Sequence, residues 1–117
     1  MTRILIVEDE PVISMLLEEM LTDHGFQVVA VASTLDEARA LATSLELHGA
    51  LLDVSLGEDE VFPVARTLDE RGVPFAFTTG YGSVGLPAEW ENRPVFNKPY
   101  NIQLLAETLA EMTGHQR

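Results

Sequence analysis

The chain of 117 residues has an apolar fraction of 46%, which is enough for one globular domain with a buried core. Its 19 acidic and 7 basic residues give a formal net charge of −12, which argues against nucleic-acid binding, and the absence of cysteine excludes disulfides and thiol chemistry. It lacks a signal-peptide pattern at its start and an apolar run of membrane-spanning length, so we expect a cytoplasmic protein with no membrane partner.

Apolar runs alternate with helical patterns along the whole sequence. The apolar runs predict five strands, at 3–7, 27–32, 49–53, 74–78 and 94–97. The segments between and after them predict four helices, at 11–23, 35–47, 60–71 and 101–113. This alternation is typical of a parallel sheet with helices on both faces, in a single domain over residues 1–117.

Helix starts carry recognisable signals. Pro11 suits a first helical turn, where its missing N–H is not needed. Thr34 is a predicted N-cap, with Glu37 completing a capping box, and Asn101 is a predicted N-cap for the last helix.

The segment 79–94 interrupts the alternation. Its three glycines and Pro87 disfavour a full helix, so we predict a loop with at most one helical turn near Pro87–Glu91. The segment also contains Gly-x-Gly-x-x-Gly at 80–85, a pattern typical of dinucleotide sites. Dinucleotide binding is disfavoured, because that pattern belongs after the first strand and should open a helix, whereas here it follows the fourth strand.

Charged residues follow three of the predicted strands directly. Glu8 and Asp9 follow the first, Asp53 ends the third and Lys98 follows the fifth. Adjacent acids after a strand are also typical of a helix N-terminus, but in an open α/β sheet the carboxyl ends of the strands share one edge, so we expect these groups to meet. Close carboxylates repel unless a cation lies among them; oxygen ligands suit Mg²⁺, and the lysine supplies a positive charge for a phosphate. One hydroxyl of Thr78 or Thr79 should reach the same site.

The order Glu8-Asp9, Asp53, Thr79-Gly80 and Lys98-Pro99, each after a strand, resembles the receiver domain of two-component response regulators. The segment Phe-Thr-Thr-Gly-Tyr-Gly at 77–82 further resembles the signature of the FATGUY single-domain response regulators. The resemblance implies a flavodoxin-like (βα)₅ fold, a doubly wound five-stranded parallel sheet, with the fourth helix shortened or replaced by the loop.

The resemblance also implies a function and its residues. Asp53 would accept a phosphoryl group from a histidine kinase or histidine phosphotransfer protein, and a downstream protein partner would read the change. The hydroxyl of Thr79 and the ammonium of Lys98 would contact the phosphoryl group. The alternative is a Mg²⁺-dependent phosphohydrolase with an aspartyl-phosphate intermediate. Haloacid-dehalogenase-like phosphatases need a second acid two residues after the nucleophile, and Ser55 stands there instead.

For the metal, the resemblance implies that Asp9 and Asp53 hold Mg²⁺ directly. The backbone carbonyl of Ser55 would be a third ligand, and Glu8 would act through water.

Two departures from the family pattern concern the surface that a downstream partner would read. Val95 replaces an aromatic residue common three positions before the lysine, and Tyr81, in the glycine-rich loop, is the candidate to take over the switching role.

The first helix has more apolar surface than the sheet can cover. A helical wheel places Ile13, Leu16, Leu17, Met20 and Leu21 toward the core, with Ser14, Glu18 and Glu19 toward water. Val12 and Met15 fall away from the apolar stripe. Isolated exposed apolar residues are common. We nevertheless predict that Val12, Met15, Leu16 and Glu19 dock the helical bundle of the kinase.

Overall fold

The computed structural model describes residues 1–80, 86–98 and 100–114. Five parallel strands form one sheet in the order β2-β1-β3-β6-β7, and a two-stranded antiparallel hairpin, β4-β5, follows β3. The strands are β1 (Arg3–Val7), β2 (Gln27–Ala32), β3 (Gly49–Asp53), β4 (Ser55–Leu56), β5 (Asp59–Glu60), β6 (Phe75–Thr79) and β7 (Val95–Asn97). The helices are α1 (Pro11–Asp23), α2 (Leu35–Ser44), α3 (Phe62–Glu70) and α4 (Ile102–Thr113). The predicted α/β class and sheet are confirmed.

The predicted N-caps at Thr34 and Asn101 hold, but the Glu37 carboxylate accepts the Ser33 N–H instead of completing a capping box with Thr34. Two helix boundaries were wrong by two residues or more. Thr34 Oγ1 accepts the Glu37 N–H at 3.2 Å, and Asn101 Oδ1 accepts the Leu104 N–H at 3.1 Å. Helix α2 ends at Ser44 rather than 47, because the following residue is extended. Helix α3 begins at Phe62 rather than 60, because residues 59–60 pair with Ser55–Leu56 in the hairpin.

The sheet buries apolar side chains on both faces, as the alternation of side-chain direction along a strand requires. On β1, Leu5 and Val7 belong to a core covered by α2 and α3, whereas Ile4 and Ile6 belong to a core covered by α1 and α4. None of the helices in the described ranges has the length and apolarity needed to span a membrane.

Among the described residues of the crossover between β6 and β7, at 86–94, a 3₁₀ turn at Ala88–Trp90 lies in the predicted position. Trp90 is 3% exposed and packs edge-on against Phe75 and Phe77, with ring centroids 5.7 and 6.4 Å away. The guanidinium of Arg93 lies 4.4 Å from the Phe75 ring centroid. The indole of Trp90 thus covers the part of the sheet that carries Phe75 and Phe77.

The prediction for helix α1 was wrong at two positions. Ser14 is buried rather than facing water, and Leu16 is 50% exposed rather than in the core. The buried stripe runs through Ser14, Leu17 and Leu21, which lie on one face at helical spacing. Ser14 tolerates burial because its hydroxyl donates to the Pro11 carbonyl oxygen at 3.0 Å.

Candidate functional site

Four neighbouring parallel strands bring their carboxyl ends to one edge of the sheet. Strand β3 ends at Asp53, and its partner β6 ends at Thr79. Strands β1 and β7 lie on either side and lead directly into Glu8 and Lys98. An open cavity of about 210 Å³ lies at this edge, lined by Asp9, Glu10, Asp53, Ser55, Gly57, Thr79, Gly80 and Lys98.

The ammonium of Lys98 lies among three carboxylates. Its Nζ is 3.3 Å from Glu8 Oε1, 3.3 Å from Asp53 Oδ2 and 3.7 Å from Glu10 Oε1. The Lys98 N–H also donates to the Thr79 carbonyl oxygen at 3.0 Å, which ties its backbone to the end of β6. Burial opposes the charge of this ammonium, but the facing carboxylates, Asp53 foremost, hold the pKa of Lys98 above its ordinary value. Lys98 is therefore a fixed cation at neutral pH.

Glu8 is the most perturbed carboxyl group of the site. Burial raises the pKa of Glu8 to about 7, and the hydrogen bond and charge of Asp53 act in the same direction. The Glu10 N–H, which donates to Glu8 Oε2 at 3.2 Å, and the charge of Lys98 act against them. The single ammonium of Lys98 therefore does not balance the negative charge of the carboxylates around it. Such an excess of negative charge favours the binding of a divalent cation.

The acidic residues offer oxygen ligands only. Ligand atoms of Glu8, Asp9 and Glu10 all lie within 4.8 Å of one another. Oxygen donors at this spacing beside an open cavity fit Mg²⁺, which takes few carboxylates and keeps several waters.

Two backbone N–H groups of the segment after β3 bind carboxylates of the site. Ser55 donates to Asp53 Oδ1 at 3.3 Å, and Gly57 donates to Asp9 Oδ2 at 3.0 Å. The β4-β5 hairpin thereby contacts acids delivered by two different strands.

The predicted site residues come together as a group: Glu8, Asp9, Asp53, Ser55, Thr79 and Lys98 lie at this edge. The predicted switch residue, Tyr81, lies outside the described residues. The sequence reasoning missed Glu10 and Gly57. Glu10 is recognisable in the sequence as the third member of an acidic run. The Gly57 contact depends on the β4-β5 hairpin, which the pattern of apolar runs does not predict.

The predicted partner surface on α1 is exposed beside this edge. Val12 is 79% and Met15 70% exposed, and Leu16 lines an apolar groove of about 440 Å³. Lys98 and Tyr100 also line the groove, which therefore adjoins the charged site.

The fold and the site define the class of protein. The model of the response regulator receiver domain matches residues 4–110, and the chain belongs to this family. This match confirms the family resemblance seen in the sequence. A receiver domain is a signalling module of phosphorelay systems.

Individual relatives agree with this assignment. The chain is 38% identical over 86 residues to the phyllosphere-induced regulator PhyR of Methylorubrum extorquens, covering 68% of this chain and 31% of PhyR. The solution structure of SdrG from Sphingomonas melonis Fr1 has a TM-score of 0.84 at 37% identity and 96% coverage of both chains. TrrA from Thermotoga maritima, solved in complex with Mg²⁺–BeF, has a TM-score of 0.84 at 25% identity, covering 96% of this chain and 99% of TrrA.

The curated relatives are longer than this chain, which covers between 31% and 49% of their lengths. Membership of the FATGUY subgroup stays a prediction.

Proposed function

We propose that Asp53 accepts a phosphoryl group from a histidine kinase or histidine phosphotransfer protein. A carboxylate oxygen of Asp53 attacks phosphorus, the P–N bond of the phosphohistidine breaks, and the imidazole leaves with the electron pair of that bond and takes up a proton. The observation that carries the proposal is the Lys98 ammonium 3.3 Å from Asp53 Oδ2, at the wall of an open cavity. Its charge offsets the charge that develops on the transferring group, and Thr79, which lines the same cavity, offers a hydroxyl to a phosphoryl oxygen.

We further propose that the reaction depends on Mg²⁺. Asp9, Asp53 and the backbone carbonyl of Ser55 would hold the ion, and Glu8 would act on it through water. The excess of carboxylates over cations supports this, and so does the Mg²⁺–BeF bound to TrrA. When bound, Mg²⁺ neutralises charge on the phosphoryl oxygens.

The acceptor is tested with Asp53→Asn, which should abolish labelling by acetyl phosphate and by a phosphorylated kinase. Asp59→Asn is the matched control, because Asp59 is an exposed acid on the hairpin beside the site. Asp59→Asn should be labelled like the wild type. Stoichiometric labelling of the Asp53→Asn protein would contradict the assignment.

The partner surface is tested separately. We propose that Val12, Met15, Leu16 and Glu19 dock the helical bundle of the phosphodonor, because these residues are exposed beside the edge that holds Asp53. Val12→Glu and Met15→Glu should slow transfer from the kinase at least about tenfold by inserting a charge into an apolar contact, while labelling by acetyl phosphate stays unchanged. Ala40→Glu, on an exposed position of α2, is the control and should slow neither reaction. Equal loss with both donors would indicate general damage.

On this proposal the chain catalyses only its own phosphorylation and dephosphorylation, in the cytoplasm. Its output is the binding of a downstream protein, not of nucleic acid or a membrane. A receiver of this kind does not turn over small phosphate esters, unlike the phosphohydrolase alternative. Steady-state release of phosphate from such esters, lost in Asp53→Asn, would favour the enzyme instead.

A further inference from the structure

The hairpin after β3 is joined to the carboxylate site through its backbone. Ser55 and Gly57 are two residues apart, and their N–H groups reach Asp53 Oδ1 and Asp9 Oδ2, respectively. The two acids are 44 positions apart in sequence and follow neighbouring strands, Asp53 at the end of β3 and Asp9 two residues after β1. The backbone of the hairpin contacts both of them.

The hairpin is itself anchored in the core. Leu56, between the two donors, is 4% exposed and belongs to the cluster beneath α2 and α3. After the hairpin, the Val61 N–H donates to the Val54 carbonyl oxygen at 3.0 Å, which closes the loop at its base. The N–H groups of Ser55 and Gly57 are therefore held by a segment that is itself packed into the core.

Gly57 adopts a conformation that favours glycine. Its φ of +61° lies in the left-handed region, and a Cβ built there meets nothing within 4 Å. Space is therefore no obstacle to a larger residue, and only the backbone conformation restricts the position. A residue that avoids positive φ at position 57 would turn its backbone N–H away from Asp9.

We propose that the β4-β5 hairpin is a positioning element for the metal-binding acids, in which the left-handed Gly57 holds Asp9 in place through its N–H. The bond engages one carboxylate oxygen of Asp9, Oδ2, and so restricts rotation of the carboxylate beside the cavity that Asp9 lines. Partners of this kind, which hold a ligand without touching the metal, commonly contribute tenfold to a hundredfold in metal affinity. The inference rests on the proposed function, since it concerns the carboxylates proposed to hold Mg²⁺.

The test compares three variants of the full chain by calorimetric titration with Mg²⁺ alone. Gly57→Ala should weaken Mg²⁺ binding about tenfold, because alanine resists the left-handed conformation. Gly57→Asn should bind within about threefold of the wild type, because asparagine tolerates that conformation and keeps the N–H in place. Gly72→Ala is the matched control: its φ is +73°, a Cβ there also meets nothing within 4 Å, and Gly72 follows α3 away from the cavity.

The control separates positioning from general strain. Both alanine variants should lose similar stability in EDTA, but only Gly57→Ala should lose Mg²⁺ affinity. Equal Mg²⁺ affinities for Gly57→Ala and the wild type, or equal losses in the two alanine variants, would overturn the positioning role alone. Failure of the wild-type protein to bind Mg²⁺ would overturn both the positioning role and the proposed metal site.

Discussion

At the carboxyl edge of the sheet, Glu8 and Asp53 are nearly fully buried around one ammonium group, whereas on one face of the same sheet Trp90 is buried among aromatic rings. The two regions contribute to folding in opposite ways. Ionising Glu8 is disfavoured in the folded protein, as its raised pKa indicates, so the charged edge lowers stability at neutral pH. Burying Trp90 removes a large apolar surface from water and raises stability.

This domain holds its charged groups and its aromatic packing in different places. The functional groups follow the strands at one edge, where a cation could offset their repulsion. The crossover between β6 and β7 contributes Trp90, an aromatic anchor buried against Phe75 and Phe77. Substitutions of Trp90 should therefore change stability while leaving Mg²⁺ affinity unchanged.

The largest expected effect is loss of the aromatic anchor. Trp90→Ala should lower the free energy of unfolding by about 3 to 5 kcal/mol, because it leaves a cavity beside Phe75 and Phe77. Urea unfolding followed by circular dichroism measures this. Trp90→Phe should cost only about 1 to 2 kcal/mol, since it keeps a ring and removes an indole N–H that is buried without a partner in the described part of the chain. A loss of Mg²⁺ affinity in folded Trp90→Phe would contradict the conclusion that the two regions affect different properties.

The next effect concerns pH. The folded-state pKa of Glu8, about 7, exceeds its ordinary value of 4.5, so the folded protein holds this proton more tightly than the unfolded chain. The stability that this proton provides is complete below about pH 4.5 and is lost as the pH rises through about 7. In EDTA, Glu8→Gln should therefore gain stability relative to the wild type between pH 4.5 and 8, on the order of 2 kcal/mol.

The control for this pH effect is Glu18→Gln, an exposed position on α1. Urea unfolding at several pH values should show no comparable gain for that variant. A Glu8→Gln curve parallel to that of the wild type would mean that Glu8 does not set the pH dependence.

The smallest effect concerns the metal. At free Mg²⁺ ten times its dissociation constant, the wild-type protein should gain about 1.4 kcal/mol in stability, because the ion binds only the folded state. Asp9→Ala should lose this gain, and Trp90→Phe should keep it, as thermal unfolding with Mg²⁺ or EDTA would show. An undiminished gain in Asp9→Ala would exclude Asp9 as a ligand.

Much of the site could be predicted from the sequence because its signals are local. Asp53 and Lys98 each stand at or just past a short apolar run, and parallel strands place such positions at one edge. Thr34 and Asn101 cap helices through their own side chains within three residues. Such features need no knowledge of distant parts of the chain.

The errors arose where strand pairing or packing competes with a local helical pattern. Residues 60–61 continue the helical pattern of α3, but Glu60 pairs with Ser55 across the hairpin. Leu16 fits an apolar helical face, yet the sheet contacts the stripe centred on Ser14 and Leu17. A hydrophobic pattern gives the side of a helix that is apolar, but close packing selects which part of that side is buried.

The sequence by itself determined the alternation of strands and helices, the family and the residues that gather at the carboxyl edge, because side-chain periodicity and strand ends are encoded by neighbours in the chain. Only the tertiary structure decided that Gly57 binds Asp9, that Glu10 joins the acids around Lys98 and that Trp90 covers Phe75. These contacts join residues far apart in sequence, and their geometry follows from how the whole core packs rather than from any local pattern.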